Sequence, residues 1–211
     1  MRRLGLAPLL VVFVIAGCTR VIDTAGPQAQ PPPAPITGGQ VSDLLSEKAM
    51  EEEDSNLFVT VEPAECAGLA AEVDPPFIFD TAPAAHAGGG YFDGDYSLTE
   101  MVGVYSSDFD PKAAIDDVKR TIESCQQETL ITTAMEGQVL DFRVLPASDS
   151  GSPDIVLWSV DSGGWACDDA FIAAHNAAIE ITACGEVNGY DMGSRAREAL
   201  QRIEDLANTM A

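Results

Sequence analysis

Positive charge is scarce in this sequence. Lys and Arg together number 11 against 34 Asp and Glu, a formal net charge of −23 over 211 residues. So acidic a chain is no nucleic-acid binder, because that affinity comes from Lys and Arg displacing counterions from phosphates. It is equally unsuited to docking on anionic lipid headgroups. Histidine is scarcer still, with only His86 and His175, far apart in sequence. The chain has no H-E-x-x-H, no G-x-S-x-G elbow and no phosphate loop, which removes the local signatures of zinc proteases, serine hydrolases and nucleotide enzymes. No catalytic residue, cofactor or metal ligand is expected, and the chain reads as a non-enzyme. Asp93-Gly94-Asp95-Tyr96-Ser97 opens like a calcium loop but lacks the later oxygen ligands such a loop needs. The run Glu51-Glu52-Glu53-Asp54 reads as a solvated helix end or loop.

Long apolar runs are also missing, apart from one at the start. Arg2 and Arg3 precede a dozen apolar residues, Leu4 to Ile15, then Ala16, Gly17 and Cys18. The run is too short for a permanent span of the ~30 Å hydrocarbon core. A basic start, a short apolar run and small residues before a Cys resemble the lipobox of a bacterial lipoprotein signal peptide. That resemblance implies removal of residues 1–17 and lipidation of Cys18. Two or more acyl chains make a stable anchor, at ~0.8 kcal/mol per buried CH₂. Losing Arg2 and Arg3 would take the net charge from −23 to −25. Residues 18–39 then form the lipidated Cys and a tether rich in Pro and Gln, with Pro31, Pro32 and Pro33 favouring polyproline II. The expected location is the outer face of the cytoplasmic membrane, reached through the lipid anchor.

Residues 40–211 are long enough for one domain with its own core. Val41, Leu44, Leu45 and Lys48 predict a short amphipathic helix over Gln40 to Met50. Leu57 to Val61, Phe77 to Phe79, Leu98 to Tyr105, Val139 to Leu145 and Ile155 to Val160 read as strands. Ala67 to Ala71 reads as a helical turn. Thr81 to Gly90, made of small residues without periodicity, reads as a loop. Asp110 as N-cap and Pro111 in the first turn start a helix whose buried stripe is Ile115, Val118, Ile122 and Cys125. A second helix starts at Asp191, with Met192, Ala196, Ala199, Ile203, Leu206 and Met210 on one stripe. Strand runs with helices at intervals predict an α+β domain, an antiparallel sheet packed against two main helices.

The stretch GWACDDAFIAAHNAAIEITACG, residues 164 to 185, has two apolar arms around His175-Asn176. With those two residues as a hairpin turn, partners across the arms have numbers summing to 351, and Cys167 faces Cys184. Opposed residues lie ~4.5–5.5 Å apart at Cα, within the range of a disulfide. An oxidising compartment favours that staple over a metal site. His175, at the far tip, is a turn residue and no ligand. Subtraction pairs Cys66 with Cys125, Cys18 being committed to lipid.

These residues carry a resemblance. Gly164-Trp165-Ala166-Cys167 followed by Ala183-Cys184-Gly185, with Glu65-Cys66 after the first strand and Cys125 ending a helix, resemble the PknH-like extracellular sensor domain. That domain belongs to mycobacterial receptor serine/threonine kinases and also occurs in lipoproteins without a kinase. A related family of uncharacterised mycobacterial lipoproteins has similar cysteines. The resemblance implies an antiparallel sheet backed by two helices, disulfides joining first to second and third to fourth cysteine, and a ligand cleft. The expected function is therefore a non-catalytic sensor-like domain that binds a small envelope ligand. The alternative is a module that docks an envelope or secreted protein through its acidic surface. Tyr91, Phe92, Tyr96 and Trp158 are the aromatic candidates for ligand contact.

Overall fold

The computed structural model describes residues 35–51 and 57–209. Cys18, the leader and most of the tether lie outside them, as do residues 52–56 and Met210. The strands are β1 (Phe58–Glu62), β2 (Ala85–Asp93), β3 (Tyr96–Val104), β4 (Thr129–Ala134), β5 (Val139–Val144), β6 (Ile155–Asp161), β7 (Ala166–Ala174) and β8 (Ala177–Gly185). The α-helices are α1 (Pro76–Phe79), α2 (Pro111–Cys125) and α3 (Met192–Thr209). The described strands make one eight-stranded sheet in the order β1-β4-β5-β6-β7-β8-β3-β2. Neighbours in it are antiparallel throughout.

β7 and β8 are buried at every position, the state expected of nearly continuous apolar runs covered on both faces. Successive side chains alternate between two cores. Cys167 and Phe171, with Val156 and Trp158 of β6, pack under Ile115, Val118 and Ile122 of α2. Ala170, Ile172, Ile179 and Ile181 pack instead against Ala196, Ala199 and Ile203 of α3. The α+β expectation holds, with the two long helices on opposite faces of the sheet. Asp110 accepts a hydrogen bond from the Ala113 backbone at 3.1 Å and caps α2.

The hairpin register is the expected one: Ala174 pairs with Ala177, Ala170 with Ile181 and Cys167 with Cys184. His175 takes the left-handed conformation at φ 52°. Asn176 instead ties the turn down: its amide nitrogen donates to the carbonyls of Ile36 and Tyr105, and its Oδ1 accepts from Ile36 N. Both disulfides are formed, Cys66–Cys125 with Cα atoms 5.9 Å apart and Cys167–Cys184 at 4.1 Å.

Several local expectations are overturned. Phe77 to Phe79 lies in the single helical turn α1 rather than a strand, because Pro75 and Pro76 fix φ in the helical range at its start. The supposed loop Thr81 to Gly90 contributes Ala85 to Gly90 to β2. Its small residues hide the strand period, and they are there for contact. A Cβ at Gly89 would run into the carbonyl oxygen of Ala49, in the segment lying across β2. The expected helix over Gln40 to Met50 is two short 3-10 segments, Gly38–Leu44 and Ala49–Glu51, separated at Leu45, whose ψ of 152° is extended. The turn near Ala67 is preceded by a 3-10 turn at Ala64–Cys66. β4 has no counterpart in the sequence reading.

Candidate ligand-binding cleft

The α2 side of the sheet is not fully covered. At one end of the molecule β1, β4 and β5 form a wall opposite the ends of β8, β3 and β2, leaving a cleft of about 790 Å³. That volume lies within the ~300–1,000 Å³ usual for small-molecule sites. Cys184, Ser97 and Thr99 line the sheet side with Phe92, while Leu57, Phe58, Ala134 and Leu140 line the wall. The turn Ser162-Gly163-Gly164-Trp165 closes one side.

Each part of the cleft is fixed from its own strand. The β1 register shifts between Phe58 and Thr60, a bulge that bends the strand and lets both Phe58 and Val61 face inward. Phe58 is then held at both backbone groups: its N–H donates to Ala71 O at 2.8 Å and its carbonyl accepts from Val73 N at 3.0 Å. Its ring meets Phe142 edge-on at 5.6 Å. In the turn, Ser162 donates through both backbone and hydroxyl to Trp165 O, and Gly163, at φ 80°, donates to Asp161 Oδ1. Only a residue free to adopt positive φ allows so tight a presentation of Trp165.

Strand alternation sorts the candidate aromatics. Phe92 lines the cleft and is 60 % exposed. Tyr91, one residue earlier, points to the opposite face, where its hydroxyl contacts Glu100 at 3.4 Å and Lys48 Nζ lies 5.6 Å from its ring centre. Tyr96 likewise faces away from the cleft and packs on Tyr190 at 5.2 Å. Trp158 is core: 2 % exposed, it donates from Nε1 to Leu69 O at 3.1 Å and meets Phe77 edge-on. Of the four, the structure brings only Phe92 to the cleft. Sequence reasoning missed Trp165, Ser97, Thr99, Phe58 and Leu140. The signal for Ser97 and Trp165 was present: both neighbour the Cys167–Cys184 staple, Ser97 across the ladder from Cys184 and Trp165 two residues before Cys167.

Charge is distributed unevenly around this site. Among the described residues the cleft lining contains no ionisable side chain. The hydroxyls of Ser97 and Thr99 make no hydrogen bond among the described residues. Further along the same face of the sheet are buried carboxyls that line no part of the cleft. Asp169 accepts from Thr182 Oγ1 at 2.7 Å, and Thr182 is the ladder partner of Thr99. Asp169 Oδ2 and Glu180 Oε2 have no hydrogen-bond partner among the described residues, and burial pushes both groups well above the ordinary carboxylate range. Burial without a counter-charge favours the neutral form of both. Glu72 accepts from Gly68 N and is raised to about 7, chiefly by burial. The described residues contain no group of side chains placed to hold a metal ion. The Asp93 loop is a hairpin turn, and the Asp93 carboxylate takes hydrogen bonds from Tyr190, Arg195 and Lys48 that lower it to about 2. His86 packs against Phe79 at 5.0 Å, and His175 Nε2 lies 3.2 Å from Glu204.

The family described as the PknH-like extracellular domain matches residues 27–211. Among solved structures, the chain is similar to the extracellular domain of PknH from Mycobacterium tuberculosis, at 18 % identity and a TM-score of 0.64, covering 82 % of this chain and 98 % of that one. An uncharacterised protein from Mycobacterium smegmatis matches at 14 % identity and a TM-score of 0.34, over 85 % of this chain and 100 % of that one. No curated protein matches the chain.

Proposed function

Because the chain belongs to the PknH-like extracellular domain family, we propose that it is a non-catalytic, lipid-anchored sensor-type domain that holds a small envelope ligand in the cleft beside β3. The domain itself is extracytoplasmic, as its family is. Anchoring rests on the lipobox at Cys18, and the tether gives the domain freedom to meet ligands away from the bilayer. One arrangement carries the ligand reading. Three aromatic rings, Phe58, Phe92 and Trp165, surround a concave space, and the accessible hydroxyls of Ser97 and Thr99 find no partner among the described residues. A cleft that served only packing would close on such groups.

The test is paired native and denaturing mass spectrometry of the protein extracted from its own envelope in detergent. The expected denatured mass is residues 18–211 plus acyl chains minus four hydrogens, and the expected native mass adds a discrete small molecule released on unfolding. A peptide without acyl chains would remove the anchor. A bare native mass would remove the carried ligand, and one larger by a whole polypeptide would make the acidic-surface interaction module the better account.

A further inference from the structure

We infer that the cleft is built for an uncharged amphiphile, an apolar chain or ring bearing hydroxyl or ester oxygens. The inference rests on the ligand-binding reading above and names the class of ligand. Its first support is compositional. Charged residues make up 21 % of the chain, yet among the described residues none of the fourteen that line the cleft is ionisable. Evenly spread charge would put about three there. In a protein with 34 acidic side chains, a neutral lining is a local property of this surface.

Charged ligands fit this lining poorly. An anionic ligand would give up its water to a lining with no Lys, Arg or His, inside the field of a chain with net charge −23. Desolvating a charge without a partner costs several kcal/mol. A cationic ligand would need a carboxylate. Asp169, reached from Thr99 through Thr182, and Glu180 are both buried and line no part of the cleft, so neither offers one. The aromatic rings would attract a cation, but with no carboxylate in the lining that attraction stands alone against the cost of desolvating the charge. An uncharged amphiphile meets neither obstacle. Its apolar part fits between Leu140, Phe58 and Trp165, and its oxygens fit the free hydroxyls of Ser97 and Thr99.

Three probes of one chain length separate the classes: monooctanoylglycerol (uncharged), octanoate (anion) and octyltrimethylammonium (cation). The full chain is held in a non-fluorescent amphipol, and binding is read from tryptophan emission. The protein has two tryptophans, Trp165 in the cleft and Trp158 buried, so Trp165→Phe identifies the cleft signal. The expected result is that the glyceride binds at least tenfold more tightly than either charged probe. Thr99→Ala should weaken it about five- to tenfold. Ser97→Lys, on a half-buried residue of β3, should reverse the preference toward octanoate; Leu140→Lys makes the same change from the wall and serves if Ser97→Lys unfolds. A charged probe that binds as tightly as the glyceride, with its signal lost in Trp165→Phe, overturns the uncharged class and leaves the cleft as a ligand site. No response to any probe overturns the inference as well. The native mass measurement then decides separately whether the ligand reading survives.

Discussion

The two faces of β2 and β3 use the same alternating sequence for opposite ends. On the α3 face, Glu100 is 2 % exposed and accepts from Arg202, Ser46 and Tyr91. Asp93 binds Arg195, Tyr190 and Lys48. On the cleft face, Phe92 and Thr99, next in sequence to Asp93 and Glu100, and Ser97 keep their ring and hydroxyls exposed to the cleft. The first face consumes its polar groups in holding the segment 36–51 and α3 to the sheet. The second leaves them available, and that availability supports the proposed ligand site.

The largest expected effect separates fold from cleft. In the chain-entropy model the Cys66–Cys125 bridge, with a separation of 59 residues, is worth about 4 kcal/mol, and Cys167–Cys184, with 17, about 3. Replacing each pair with Ser should lower urea stability by those amounts. Only loss of the second pair, whose Cys184 lines the cleft, should also reduce ligand retention. The α3 face comes next. Arg202→Met strips the charged partner from buried Glu100 and should cost about 3 kcal/mol by urea denaturation, with ligand binding unchanged.

Much of the frame on which these predictions stand is legible in the sequence. The hairpin register follows from one turn position, the α2 cap from Asp110-Pro111, and both bridges from cysteine placement. The cleft is less so. Its wall is β1, β4 and β5, brought to β3 by the curl of the sheet, and no local spacing in Leu57, Ala134 or Leu140 records that meeting. β2 escaped notice because Ala and Gly at residues 87–90 carry no hydrophobic alternation. The aromatics misled for a related reason: Tyr91 and Phe92 are equally aromatic, and only the register decides which face each takes.

The two faces also respond differently to pH. Asp169, Glu180 and Glu72 have folded pKa values above their unfolded ones. Between the two values the unfolded state has released its protons and the folded state has not, so stability falls as pH rises. For Glu72 that window runs from 4.5 to about 7. Asp93, lowered from 3.8 to about 2, acts in the other direction and loses its contribution as pH falls through that range. Urea midpoints should therefore be higher at pH 5 than at pH 8, and Glu72→Gln should flatten the difference; a midpoint that rises toward pH 8 would contradict the buried acids. The smallest expected effect on stability is Phe92→Ala. At 60 % exposure its loss should change unfolding free energy by no more than about 0.5 kcal/mol while lowering the amount of ligand carried.

The most direct test of the division between the faces is native mass spectrometry of three proteins taken from the same envelope: the unaltered chain, Ser97→Lys and Arg202→Met. The account predicts a small bound mass on the unaltered chain and on Arg202→Met, and none on Ser97→Lys. A bound mass that survives Ser97→Lys, or that disappears with Arg202→Met while the protein stays folded, would place the ligand elsewhere and contradict it.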